Sequence, residues 1–219
     1  MSAPAPRPAR HPRRVLIALA LLFFAPVAVA FILYYGIGWS PGGRVNYGEL
    51  VQPPVPLPDI ALPRADAASA DGPRADAAGG LLKGKWTLLY LGEGGCPAGC
   101  RMDLYNTRQV RAALGADRER VQRVFLAEGA CCDLEWLHAQ QPDLITVQVS
   151  AAAAPLTAIL EHAGQEHPGR NPRPADRTAA DRVYLVDPLG NLMMSYDADA
   201  RPKGMLEDLK KLLRLSHVG

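Results

Sequence analysis

An uncharged apolar run from Val15 to Tyr35, VLIALALLFFAPVAVAFILYY, constrains this chain more than any other feature. As a helix rising about 1.5 Å per residue, its roughly 21 residues span about 30 Å, the thickness of a bilayer's hydrocarbon core. The one breaker, Pro26, is tolerated in membrane helices because neighbouring groups re-satisfy the freed carbonyl. Ala28, Val29 and Ala30 form the small-x-small pattern of a signal-peptide cleavage site behind a basic stretch. The run is long for a signal peptide and continues past that site through Phe31, Ile32, Leu33 and Tyr34, which favours a retained anchor. Arg7, Arg10, Arg13 and Arg14 precede it with no acidic residue, and Tyr34, Tyr35 and Trp39 lie where an interfacial aromatic belt belongs. The positive-inside rule then places residues 1–14 in the cytoplasm, a transmembrane helix over 15–35, and the remainder on the outer face.

Beyond the anchor about 180 residues remain, enough for one domain with its own core and a linker. The net charge of +2 has no concentrated basic stretch beyond the N-terminal one, so nucleic acid is not an expected partner. Residues 36–80 are rich in proline, glycine, alanine and aspartate, and the hexapeptide Pro63–Ala68 recurs as Pro73–Ala78. This segment reads as a tether, with Pro53, Pro54, Pro56 and Pro58 favouring extended geometry. Its first part, Asn46 to Leu62, carries enough apolar residues to dock on the domain as an edge segment.

Folded character is expected over 81–219. Trp86 to Leu91 is a nearly all-apolar run ending in glycines, the pattern of a strand buried on both faces. It leads into Cys96-Pro97-Ala98-Gly99-Cys100 and then a helix marked by Val110, Ala113 and Leu114 and closed by Gly115. Val121–Leu126 and Leu144–Val149 read as further strands, Leu134–Gln141 and Pro155–Gly164 as helices, and Gln165–Asp181 as a loop. Arg182–Val186, a turn over Asp187–Asn191, and Leu192–Tyr196 predict a hairpin. Pro202 sits near the start of a last helix with Leu206, Leu209, Leu212 and Leu213 on one face. Alternating strands and helices, a late hairpin and a closing helix describe an α/β layer of thioredoxin-like type carried on a single N-terminal transmembrane helix.

All four cysteines lie in the exported part, where an oxidising compartment leaves them paired, metal-bound or redox-active, with three possible connectivities. Cys96 and Cys100 stand at the junction of a buried strand and a helix N-terminus. There the helix dipole and free backbone N–H groups favour the thiolate, the form that attacks disulfides and ligates soft metals. Arg101 adds a positive charge beside them; the alternative is a plain structural disulfide. If the strands at 86–91 and 121–126 are parallel, both end at one edge of the sheet, which brings Cys131 and Cys132 to the side of the motif. That pair offers a thiolate ligand, a resolving thiol, a structural disulfide, or simply small buried residues. Of Met193 and Met194, one faces the core by strand geometry, so they count as packing. Asp133 and Glu135 read as helix-capping acids. No phosphate loop, histidine-rich metal spacing or serine-nucleophile elbow is present.

The anchor, the run Leu82–Gly92 leading into Cys96, Pro97 and Cys100, and the hairpin Val183–Tyr196 with its closing helix resemble the Sco/SenC family of thioredoxin-like cytochrome c oxidase assembly proteins. The resemblance covers roughly residues 81–213. It implies a site at Cys96 and Cys100 that binds copper for the oxidase's dinuclear copper centre or reduces the cysteines of that centre. It also implies a membrane-embedded cytochrome c oxidase subunit as partner, and a bacterial inner membrane with the domain in the periplasm. The family's copper-binding histidine, in the loop before the hairpin, aligns near Ala179 or Ala180, and no histidine stands there. Two thiolates alone leave Cu(I) without a third ligand. His167 in the same loop, His162 on the preceding helix, and Cys131 or Cys132 are the candidates for that place. A metal-independent thiol-disulfide oxidoreductase, or a structural partner derived from the same fold, are the alternative functions.

Overall fold

The computed structural model describes residues 12–36, 46–65, 75–76, 80–165, 182–197 and 200–216. Two compact units are present, Met1–Val45 and Asn46–Gly219. In the first, helix α1 (Pro12–Phe31) contains Pro26 and runs into a π-helical turn over Ile32–Gly36. Its stretch Arg13–Phe31 is long and apolar enough to cross a membrane. Leu22, Phe23 and Phe24 are all largely exposed, as the apolar surface of a lipid-facing helix is.

The second unit is built on a six-stranded sheet. Its strands are β1 (Glu49–Pro56), β4 (Trp86–Glu93), β5 (Val121–Glu128), β6 (Leu144–Gln148), β7 (Arg182–Val186) and β8 (Asn191–Asp197), in the order β1-β8-β7-β4-β5-β6. Strands β4, β5 and β6 are parallel neighbours; on the other side β7 pairs antiparallel with β4, β8 antiparallel with β7, and β1 antiparallel with β8. A separate two-residue ladder pairs β2 (Leu62–Pro63) with β3 (Ala75–Asp76), the latter inside the second copy of the repeated hexapeptide.

Alternation along the strands divides the core. On β4, Leu88 and Tyr90 point to one layer while Leu89 and Leu91 point to the other, and β5 repeats this with Phe125 and Ala127 against Val124 and Leu126. The first layer is covered by α2 (Ala98–Ala112) and α5 (Pro202–Leu215), through Leu104, Val110, Met205, Leu209 and Leu213. The second is covered by α4 (Ala154–Gln165), through Leu156, Leu160 and Ala163. Short α3 (Leu134–Gln140) follows β5.

The expected strands and helices of the second unit are found in the expected order, with small shifts; of the loop expected over Gln165–Asp181, Gln165 ends α4 and residues 166–181 lie outside the described residues. The buried stripe of α5 runs through Met205, Leu209 and Leu213, while Leu206 and Leu212 flank it half-buried. Residues four apart share a helix face, which turns Met205, Leu209 and Leu213 toward the sheet together. The edge segment expected over Asn46–Leu62 is realised as β1, so part of the proline-rich stretch 36–80 belongs to the sheet. Asp208 on α5 fixes its entry: one carboxylate oxygen accepts from the Tyr47 and Gly48 amides, both at 2.8 Å, and from the Tyr196 hydroxyl at 3.3 Å. Burial, then Asp208, push the Tyr196 hydroxyl up from its ordinary pKa.

Candidate functional site

Strand β4 ends at Gly92 and Glu93, Gly94 and Gly95 follow as a turn, and the chain must then enter α2 within a few residues. Cys96 makes that turn with φ of +42°, the left-handed region that costs a residue with a Cβ about 1–2 kcal/mol. Its amide donates to the Glu93 carbonyl at 2.9 Å. Pro97 is the N-cap residue, with no side chain capping the helix, and Cys100 sits in the first turn. A helix N-terminus leaves its first amides without intrahelical partners and carries a partial positive charge, so the position of Cys96 and Cys100 at the start of α2 is one that favours a thiolate when such a pair is reduced. Cys96 and Cys100 are joined as a disulfide, with Cα atoms 5.1 Å apart, and both are buried, at 5 % and 2 % exposure.

The sheet topology brings the second cysteine pair to the same edge. Parallel register matches Glu93 with Glu128, and the Gly94 amide extends the ladder by donating to the Glu128 carbonyl at 2.8 Å. A Cβ placed on Gly94 would collide with the Ala130 carbonyl oxygen and lie 3.0 Å from the Cys131 Cα, so only glycine permits this approach. Cys131 and Cys132, also joined as a disulfide, are half-buried against the core layer that contains Cys96 and Cys100.

Arg101 ties the two loops together. Its Nε donates to the Cys96 carbonyl at 3.2 Å, its guanidinium stacks 4.6 Å from the Trp136 ring centroid, and its Nη2 lies 3.9 Å from Asp133. Asp133 in turn caps α3, accepting from the Trp136 amide at 3.0 Å. The capping role read for Asp133 is thus present, and the pairing with Arg101 is additional. Glu128, at the end of β5, has its carboxyl raised above the ordinary range by burial and, to a lesser degree, by Glu161.

The remaining candidates separate cleanly. His162 lies on α4, whose packing residues belong to the layer across the sheet from Cys96 and Cys100. His167 and the loop positions Ala179 and Ala180 lie outside the described residues. Met194 is buried with its sulfur 3.7 Å from the Tyr196 hydroxyl, and Met193 is half-buried beside the same layer, as packing requires. Among the described residues, no three histidine, cysteine or acidic side chains are placed to share a metal ion. Sequence reasoning missed Trp136, whose stacking on Arg101 joins residues 35 positions apart, and the spacing role of Gly94, for which the run of glycines after β4 was the available signal.

Solved structures share this architecture. Apo Sco1 from Thermus thermophilus is 24% identical, aligned over 78% of this chain and 99% of its own, with a TM-score of 0.54. Copper-bound ScoI from Arabidopsis thaliana is 18% identical over 72% of this chain and 98% of its own, with a TM-score of 0.50. At such identities the likeness establishes the thioredoxin-like α/β fold, the one expected from the anchor, cysteine motif and hairpin. No curated protein matches the chain. A family model described as the transmembrane-like, thioredoxin-like, C-terminal domain matches residues 86–216, from the first residue of β4 to just past α5, and the chain belongs to that family.

Proposed function

We propose that this chain is a membrane-anchored, Sco-like assembly factor for a respiratory cytochrome c oxidase, acting through Cys96 and Cys100 by thiol-disulfide exchange with a client's cysteines. The observation that carries this reading is the Cys96–Cys100 disulfide at the tip of β4 and the N-terminus of α2. In the reduced protein, a Cys96 thiolate attacks a client disulfide; a mixed disulfide forms and one client sulfur leaves as thiolate. Cys100 then attacks Cys96, releasing the second client sulfur and leaving Cys96 and Cys100 oxidised, so two electrons and two protons pass to the client.

The proposal places residues 1–14 in the cytoplasm, the anchor over 15–35 in a bacterial inner membrane, and the domain in the periplasm. The apolar helix and the arginines before it support that orientation. Residues 36–80 form the tether, its middle part docked as β1.

Copper delivery is the second reading, favoured by the copper bound in the Arabidopsis ScoI structure. Here copper would be cargo, held by the Cys96 and Cys100 thiolates together with a third donor from outside the described residues, such as His167. Two thiolates without a third donor suit disulfide exchange better than Cu(I) retention, and this sets the order of the two readings.

Titration of the reduced full-length protein in detergent micelles with Cu(I) against a competing chelator, beside equilibration in glutathione redox buffers, separates them. A reversible Cys96–Cys100 couple with Cu(I) lost to the chelator is the expected outcome. Tight stoichiometric Cu(I) binding that disappears with Cys96→Ser or Cys100→Ser would make delivery the function. Thiols inert in both assays would overturn both readings and leave a structural partner.

A further inference from the structure

Cys131 and Cys132 take no part in the exchange just described, yet their loop is built against the motif. The Gly94 amide is bonded to Glu128, Gly94 has clearance for no Cβ beside Ala130 and Cys131, and Arg101 contacts the Cys96 carbonyl, Trp136 and Asp133. Both sulfur pairs pack against one apolar layer. They differ in access: Cys96 and Cys100 are buried, whereas Cys131 and Cys132 are half-buried. A structural disulfide between adjacent residues closes almost no chain, so little unfolded-state entropy is removed by it. The pair therefore has a weak stabilising rationale and a strong positional one.

We infer that Cys131 and Cys132 form a second redox pair that exchanges electrons with Cys96 and Cys100 within the same chain, as the entry point for an external protein dithiol. This rests on the thiol-exchange reading above. After the motif has reduced its client, it is left oxidised. A thiolate of the reduced vicinal pair attacks the Cys96–Cys100 disulfide, a bond forms from Cys131 or Cys132 to a motif sulfur, and the other motif sulfur leaves as thiolate. The second vicinal thiolate then attacks its neighbour. The motif is left as a dithiol and the vicinal pair as a disulfide: two electrons and two protons have moved across the sheet edge and nothing else is consumed. The external dithiol then reduces the more open vicinal disulfide, becoming a disulfide itself, without competing with the client for the motif. Arg101, reaching toward Cys96 on one side and α3 on the other, is a positioning residue for the loops.

The test uses full-length protein in detergent micelles. In Cys100→Ser, oxidation in a glutathione buffer is followed by peptide mass mapping. Because the loops share one edge, the effective concentration of the vicinal sulfurs at Cys96 is on the order of millimolar or more. A Cys96–Cys131 or Cys96–Cys132 cross-link should therefore be the main oxidised species of Cys96. Cys96 found only as the glutathione adduct, with no cross-linked peptide, would overturn the relay. Should Cys100→Ser fold poorly, the wild-type protein supplies a second measurement. After substoichiometric reduction with a small dithiol and its removal, thiol labelling of the two pairs should redistribute at a rate independent of protein concentration. A distribution frozen at removal would overturn the relay. The same mapping reports on the underlying reading. A Cys96–Cys100 couple that titrates reversibly while the pairs stay unlinked sinks the relay alone, and a couple that does not titrate sinks thiol exchange as well.

Discussion

Strand β5 is held in two contrasting ways at its two ends. Near its start, Arg123 is fully buried and still charged, with its guanidinium donating to Thr107 Oγ1 at 3.1 Å, the Leu104 carbonyl, Gln141 Oε1 at 2.8 Å and Asp143 Oδ1 at 2.9 Å. Burial pulls its pKa down to about 10, with Asp143 opposing, so the cation persists at neutral pH. Beyond the other end, the cysteine loop is fixed by glycine clearance, by sulfur and by contacts of a half-exposed Arg101. The first end has a dense hydrogen-bond network that admits one arrangement. The second is held by fewer polar contacts, and it is the end at which the proposed thiol exchange would take place.

That contrast can be broken from either end. The largest effect is chemical: Cys96→Ser or Cys100→Ser should abolish the reversible two-electron couple of the motif, read by thiol quantification in glutathione buffers, while the fold persists by circular dichroism. Arg123→Ala attacks the rigid end. It strands the acceptors of a buried cation and should lower unfolding stability by about 3 kcal/mol, read from denaturant midpoints. Gly94→Ala forces the two loops apart and should cost about 1–3 kcal/mol, together with slower exchange between the sulfur pairs. Arg101→Ala removes a cation–π contact and a long, solvent-screened ion pair, for a loss of at most about 1 kcal/mol in the same denaturant assay.

The smallest effect is a pH dependence at the soft end. Because the Glu128 carboxyl is raised by burial, the folded protein keeps that proton to higher pH than the unfolded chain does. Its contribution is present below the unfolded pKa and fades as pH rises through the folded one. Glu128→Gln should flatten this component in acid-range unfolding curves; an unchanged profile would show that the carboxylate is solvated in the folded state.

The strand-helix order was legible because the continuous apolar run of β4, the turn residues after it and the leucine-rich face of α5 are local patterns. The position of Cys131 and Cys132 followed from a single topological inference, the parallel pairing of β4 and β5. Arg123 was not legible: a lone arginine in VQRVFLAE looks like a solvent-facing position, and its acceptors come from α2 and from the turn before β6. Its inward direction was nonetheless encoded, since it shares parity with Val121 and Phe125. His162 shows the converse, because the α4 stripe that buries Leu160 and Ala163 already assigns the helix to the other layer.

Strand β1 carries Pro53, Pro54 and Pro56, and its register with β8 is interrupted between Leu50 and Val55. Proline offers no amide, so a further strand arriving at that edge finds no continuous row of donors. Molecules confined to the plane of a membrane meet one another far more often than molecules in bulk solution. With the membrane anchor proposed above, the β1 edge of the sheet could be crowded there without pairing with a neighbouring strand.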